Sequence, residues 1–284
     1  MKTQFENRVM SSFLLWLDHT LLDKGDAYTN YGSNFYSVDG LYYNYNAYGA
    51  PFKQMVADES ITDAKILSGV YVDNNFKSTG QSPLVDINYN QGQVYFDSTT
   101  SSTISGNYAV KDFNVYLTAK AEQELLFENK IDLRPSTSQT VEGLPTSVTT
   151  YPAIFIKNNG GSNQPMAFGG LDRTQISIRG VILADSQYNL DAACSIFKDQ
   201  ARTMVPILSD QNYPFNVLGG LKTGVYNYNN LTRDIGNNNQ LHIDEVNVSR
   251  FSLGYMENLK NANPEVFKAI IDFELGLERY PREG

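Results

Sequence analysis

The chain has one cysteine, Cys194, so no intrachain disulfide can form and a disulfide-stapled extracellular scaffold is excluded. Its neighbours, "LDAACSIFKD", place the thiol on the apolar stripe of a predicted helix, where a buried structural role outweighs a nucleophilic one. Charge is scarce at 19% of residues, and no run of Lys or Arg occurs anywhere. With a formal net charge of −9, the chain lacks the clustered cations that phosphate neutralisation requires, which argues against general nucleic-acid binding. An acidic surface is nevertheless compatible with lining a passage through which DNA slides without sticking. Histidine is nearly absent: His19 sits in a predicted helix and His242 in a predicted strand beside Asp244. Neither has a second His or Cys at ligand spacing, so no zinc site and no other cofactor is expected.

Familiar catalytic signatures are missing too. No G-x-S-x-G elbow or H-E-x-x-H motif occurs, and the glycine pairs in "AFGGLD" and "NVLGGLKTG" read as turns rather than phosphate cradles. Carboxylates at Asp86, Asp97, Asp112, Asp185, Asp244 and Glu245 could supply a facing pair for glycoside hydrolysis, but Asp at a strand end more commonly serves a turn or solvent. The chain is therefore read as a non-enzyme. Near the start, Glu6, Arg8 and Asp18 flank the apolar "FLLWL" too closely for a signal peptide or a membrane span, and folding in a cytoplasm is expected.

What the chain has in abundance is aromatic side chains and amides. Tyr occurs 19 times and Phe 15 times, and hydrophobic residues make up 41% of the 284. Tyr combines contact area with a polar handle, which suits durable contact surfaces, although Tyr and Phe also simply favour strands. Residues 5–22 predict a helix, with Phe5, Val9, Phe13, Leu17 and Leu21 at every fourth position and Met10, Leu14 and Trp16 widening the apolar side. Such a helix must dock, by default on its own chain.

Residues 26–52, "DAYTNYGSNFYSVDGLYYNYNAYGAPF", show neither period and predict a long, ordered loop with short extended pieces that binds something. Residues 61–117 predict a small antiparallel sandwich or barrel. Here "VYVDNNF" turns at Asp73-Asn74-Asn75, "VDINYNQGQVYFD" forms a hairpin about Asn90-Gln91-Gly92, and "ISGNYAVKDFNVYL" is one further strand. "AEQELLFENKIDL" reads as a short helix or an edge strand. The shift to Pro, Ser, Thr and Gly in "RPSTSQTVEGLPTSVTTYP" then marks a linker at 134–150 between domains at 1–133 and 151–284.

In the second half "YPAIFIKN" predicts a strand, "NGGSNQPMAFGG" a loop and "QISIRGVILADS" a strand buried on both faces. A helix capped by Ser186 or Asn189 follows, with Leu190, Ala193, Phe197, Ala201 and Met204 inward and Pro206 as its stop. "QLHIDEVNVSRFSL" is a strand, and the strict alternation Phe267, Ala269, Ile271, Phe273, Leu275, Leu277 makes the last segment a strand as well. The fold class is α+β: an N-terminal helix and Tyr/Asn-rich loop with a small antiparallel β-sandwich or barrel, then a four-stranded sheet with one packed helix. One helix cannot cover so hydrophobic a sheet on both sides, so its other face needs the first domain or another subunit.

The hairpin "VDINYNQGQVYFD", followed by "YPAIFIKN", "FGG" and "ISIRGVILADSQYNLDAACSIFKD", resembles structural proteins of tailed bacteriophages. The likeness is to neck components that join head to tail, with a second half similar to tail terminators. The resemblance implies a virion protein, assembled in the host cytoplasm, that closes into a ring in the neck as a cyclic homo-oligomer, a hexamer. Its partners would be tail-tube and head-closure proteins or the portal complex, with DNA passing through without sequence-specific binding and no membrane. The N-terminal helix and Tyr/Asn stretch have no counterpart in minimal terminators, so terminator, head-closure protein and another connector ring stay open. Candidate inter-subunit or partner contacts are Tyr28, Tyr31, Phe35, Tyr36, Tyr42, Tyr43, Tyr45, Tyr48, Phe168, Tyr226 and Tyr228. Aromatic faces beside amides serve sugars as well as proteins, so a glycan- or receptor-binding protein of the tail or baseplate is the alternative, and a polysaccharide hydrolase a lesser one.

Overall fold

Helix α1, Phe5–Gly25, starts at Gln4 with a reciprocal cap: the Asn7 side chain accepts from the Gln4 N–H at 3.1 Å while the Gln4 side chain accepts from the Asn7 N–H. It ends on Asp26 at φ 45, a left-handed cap. Val9, Phe13, Leu17 and Leu21 are buried on the predicted face, and Leu15, Trp16 and Leu22 are buried as well, so the helix is wrapped on most of its circumference. Phe13 and Trp16 meet Phe273 edge-on, with ring centroids at 5.0 and 6.3 Å. The helix thus docks on its own chain, as expected. The computed structural model describes residues 4–128, 132–133, 150–167, 169–236, 239–251 and 266–281.

Seven strands form a nearly closed antiparallel barrel: β1 (Tyr28–Tyr42), β2 (Tyr45–Gly49), β3 (Gly69–Val72), β4 (Asn75–Ser78), β5 (Leu84–Asn88), β6 (Gln93–Phe96) and β7 (Ile104–Lys111). They lie in the order β4-β3-β7-β1-β2-β6-β5. The stretch 26–52, expected as a loop, is mostly the hairpin β1–β2. Strand β1 pairs with β7 from Tyr28 to Phe35 and with β2 from Tyr36 to Tyr42, changing partner midway. It is held by backbone ladders on both sides, not by an apolar face: Phe35 is its one fully buried residue, which is why no alternation marks it. The two-residue turns Tyr43-Asn44 and Asp73-Asn74 have all four φ angles positive, the primed geometry that matches strand twist. The predicted hairpin about Asn90-Gln91-Gly92 is present; a Cβ on Gly92 would come within 2.0 Å of the Phe52 carbonyl oxygen. Residues Ala50 to Asp58 run buried across one end of the barrel, tied down by Gln54 N–H to Asn90 O and Val56 N–H to Ala109 O at 3.1 and 2.9 Å.

The expected single strand 104–117 breaks at Asp112-Phe113. Its second part, β8 (Asn114–Leu117), leaves the barrel and pairs in parallel with β11 (Ala153–Pro165). Buried Asn114 anchors this crossing by donating to the Thr150 and Pro152 carbonyls at 3.2 and 3.1 Å. A helical turn at Glu124–Glu128 and the short parallel pair β9 (Asp132–Leu133) and β10 (Thr150–Tyr151) lie between them; residues 134–149, which hold most of the expected linker, fall outside the described residues.

The second sheet has six strands in the order β13-β14-β15-β12-β11-β8, with β12 at Asp172–Ala184, β13 at Met204–Pro206, β14 at Gln240–Arg250 and β15 at Phe267–Arg279. The four predicted strands are its centre; β8 and β13 extend it. Strand β11 runs on to Pro165, past the predicted loop start, through a bulge between Asn158 and Gly161. Helix α2, Gln187–Lys198, is capped by Ser186, whose Oγ accepts from the Asn189 N–H at 3.2 Å. It stops well short of Pro206, because Arg202 takes φ 70 and its N–H turns to the Ile243 carbonyl, so Ala201 and Met204 leave the inner stripe. A short helix α3, Tyr228–Thr232, follows a loop at 207–227.

The alternating residues of β15 sort cleanly. Ala269, Ile271, Phe273, Leu275 and Leu277 are buried, and Phe273 packs on α1 and on Phe197 of α2. The opposite face overturns the expectation of an uncovered greasy surface. Arg179 donates to Asp272 at 2.9 Å and to Glu122 at 3.0 Å, Ser177 donates to Glu274 at 2.6 Å, and Lys157 lies 3.3 Å from Glu122. Where that face is apolar, at Phe155, Val181 and Leu183, the helical turn covers it with Leu125 and Leu126. Two helices, not one, cover the inner face, and charged side chains satisfy one another on the outer.

Candidate functional site

The barrel and the second sheet meet along a seam that holds a cleft of about 490 Å³. One wall is β8 with Leu14, Leu15 and Asp18 of α1; the other is the barrel turn at Asn88, Asn90 and Gln91 with Tyr42. The loop carrying Tyr213 and Phe215 closes a third side. That loop explains the glycine pair in "NVLGGLKTG". Asn216 accepts from the Gly220 N–H and donates to Asp86 at 2.8 Å, and a Cβ on Gly220 would lie 1.9 Å from the Asp86 carboxylate, so only glycine lets the loop rest on β5.

The cleft mixes apolar and polar side chains and is almost neutral. Lys111 and Asp18 lie 2.9 Å apart, 11% and 17% exposed, and cancel each other's charge. Tyr42 stacks on buried Tyr95 at 4.9 Å and 10° between planes. Asn88 donates to the Tyr95 hydroxyl at 3.0 Å and accepts from the Gln91 N–H at 3.0 Å. The Gln91 Oε1 is buried with no hydrogen-bond partner among the described residues, a costly state for an acceptor. Burial holds the Tyr95 phenol well above its ordinary pKa despite the bond from Asn88, so at neutral pH it is an O–H group.

A second polar constellation lies deeper. Asp58, 2% exposed, accepts from His19 Nδ1 at 2.8 Å, from the Ser60 hydroxyl at 2.7 Å and from the Tyr228 N–H at 2.9 Å. The His19 ring stacks on Tyr228 with centroids 4.3 Å apart. Burial alone would raise the Asp58 carboxyl; the bonds from His19, Tyr228 and Ser60 outweigh it and hold the carboxyl below its ordinary value. Ser60 binds the carboxylate rather than the far ring nitrogen, so the trio ties α1, the buried 50–58 run and α3 together instead of forming a nucleophile relay. Sequence gave no signal for this: His19 and Asp58 are 39 positions apart.

The carboxylates singled out from sequence are dispersed. Asp86 is buried under Asn216, Asp97 accepts from Ser82 and Ser98, Asp112 from Thr29 and Asp185 from Asn189. Asp244 shares an open cleft of about 420 Å³ with His242 and Glu278, held there by Arg173 at 2.8 Å. Among the described residues no group of three or more His, Cys, Asp or Glu is arranged to hold a metal ion.

The predicted contact residues divide into three groups. Phe35 and Tyr48 lie in the barrel core, and Tyr226 and Tyr228 are buried beside Asp58; none of the four offers surface to a partner of the folded chain. Tyr28, Tyr31, Tyr42 and Tyr45 are half-buried, Tyr31 against Phe52 at 4.3 Å, and Tyr42 alone of the set lines the cleft. Tyr36 and Tyr43 are exposed, at 39% and 63%, and Phe168 lies outside the described residues. Sequence reasoning missed Leu41, 65% exposed beside Tyr43, and the exposed pair Tyr71 and Phe76. The last pair had a usable signal: a two-residue turn at Asp73-Asn74 sets Tyr71 opposite Phe76, and their rings meet at 5.3 Å. Compared with known proteins, the chain matches no family model and no curated protein.

Proposed function

We propose that this chain is a virion structural protein of a tailed bacteriophage, a connector that closes into a ring in the neck between the tail tube and the head-closure or portal complex. The observation that carries this reading is the apolar dressing of the barrel exterior. Leu41 and Tyr43 project from the β1–β2 turn at 65% and 63% exposure, and Tyr71 and Phe76 stand on the β3–β4 ribbon at 41% and 48%. Single exposed apolar groups are ordinary, but aromatic and aliphatic side chains brought together in pairs on hairpin ribbons suit a surface covered by neighbours. The element order β11–β12–α2–β14–β15 is the order on which the resemblance to tail terminators rests, here with two helices rather than one on the inner face.

The charged outer face of the second sheet changes how neighbours would meet. Its charged side chains already pair within the chain, so any contact through that face would be polar, while the barrel aromatics would supply the desolvated area. The net charge of −9 suits a passage for DNA. Mass photometry and cryo-electron microscopy test the reading, on the purified chain alone and mixed with tail-tube or head-closure rings. A closed ring, a hexamer by resemblance, is the expected result; monomers in every mixture would overturn it.

A further inference from the structure

Among the described residues strand β8 is the last strand of its sheet, bonded to β11 on one side only. Its ladder is parallel, and the Asn114 and Thr118 N–H groups donate to Pro152 and Ile156 at 3.0 Å each. In such a ladder alternate residues turn their backbone groups to the same neighbour. Residues 114, 116 and 118 therefore serve β11, and the N–H and C=O groups of Val115 and Leu117 point the other way. Among the described residues those outward groups have no hydrogen-bond partner.

The free edge opens on the cleft. Val115, Tyr116 and Leu117 all line it, yet consecutive side chains on a strand point to opposite faces. Tyr116 stacks on Phe155 at 5.6 Å on one face, while Val115 packs on the main core that includes α1 on the other. What the three share is the edge itself. Across the cleft stands Gln91, whose enclosed Oε1 has no hydrogen-bond partner among the described residues and which can meet a donor by turning its amide toward the cleft. The charged side chains of the cleft, Lys111 and Asp18, are 2.9 Å apart and neutralise each other, so the complementary occupant carries no charge.

We propose that an extended, uncharged peptide segment of a partner protein adds to the free edge of β8 as a short strand, seated in this cleft and donating a hydrogen bond to Gln91. Main-chain bonds to Val115 and Leu117 supply the attachment, and the pocket between Tyr42, Tyr213 and Phe215 takes its side chains. The four residues of β8 limit the added strand to a short one. The inference does not depend on the ring reading: it requires only the edge and the cleft.

The probe is a synthetic Thr-Val-Thr-Val-Thr peptide with blocked ends and a solubilising lysine outside the repeat, titrated into the full chain and followed by amide NMR. Expected are saturable shifts and slowed hydrogen exchange at the Val115 and Leu117 amides, abolished when alternate peptide nitrogens are methylated. Leu117→Pro removes an outward N–H that no described residue uses, and lowers affinity by roughly tenfold, while Leu117→Ala keeps the N–H and keeps binding. Should Leu117→Pro fail to fold, the methylated peptide on the wild-type chain makes the same distinction. Unchanged Val115 and Leu117 amides at millimolar peptide, binding that survives methylation, or a chito-oligosaccharide occupying the cleft in place of the peptide would each overturn the proposal.

Discussion

His19 and Asp58 meet at 2.8 Å beneath the Tyr228 ring, and through that contact three segments distant in sequence share one carboxylate. The folded state holds the Asp58 carboxyl below its unfolded value, against the pull of burial, because His19, the Tyr228 N–H and Ser60 all bond to the ionised form. A depressed carboxyl supplies stability that is complete above the unfolded pKa and is lost as pH falls through the folded pKa. Urea midpoints measured across acid pH will therefore fall below the ordinary carboxylate range, with α1 loosening from the barrel. Asp58→Asn will cost about 1–3 kcal/mol at neutral pH and flatten that acid limb. An unchanged acid limb in Asp58→Asn would show that other carboxylates govern it.

Phe273 marks where the two halves of the core join. Its ring touches Phe13 of α1 and Phe197 of α2 at 5.0 and 6.0 Å. Phe273→Ala will cost about 3–5 kcal/mol in urea unfolding, since rigid neighbours from a helix in each half cannot all collapse into the space. A loss below 1 kcal/mol (roughly that of an ordinary surface change) would mean that the helices are free to repack.

The β15 strand that carries Phe273 was legible because its sheet has one apolar and one charged face, so alternation wrote itself into the residues. Strand β1 was not legible, because only Phe35 is fully buried and neighbouring ladders, which no single segment reveals, hold it extended. Helix α1 was readable by its fourth-residue repeat widened at Trp16, but the covered side that buries Leu15 and Leu22 was not read. The same blindness led to the greasy outer face: Arg179 could not be paired with Asp272 and Glu122 until three strands and a turn were assembled. The cleft was the least legible feature of all, since β8 joins the far sheet only because the chain breaks at Asp112-Phe113.

Gly220 offers a test of how the cleft wall is held. With a Cβ 1.9 Å from the Asp86 carboxylate, Gly220→Ala must push the 214–222 loop off β5 and break the 2.8 Å bond from Asn216 to Asp86. The expected loss is about 1–3 kcal/mol, with faster amide exchange in the loop and little change in the second sheet. Exchange that stays slow across 214–222 would show that β5 yields instead of the loop.

Tyr43 separates stability from assembly. It sits first in the Tyr43-Asn44 turn at φ 49, a left-handed conformation that suits Asn or Gly far better than an aromatic residue, and its ring is 63% exposed. Tyr43→Asn relieves that strain and will raise the stability of the isolated chain by about 1 kcal/mol, read as a higher urea midpoint. The same substitution strips an aromatic group from the surface proposed to meet neighbouring subunits, so on that proposal assembly will weaken while the fold strengthens. Opposite signs in the two measurements are what a contact residue predicts. A variant that is more stable and assembles as well as the parent would remove the β1–β2 turn from the proposed interface.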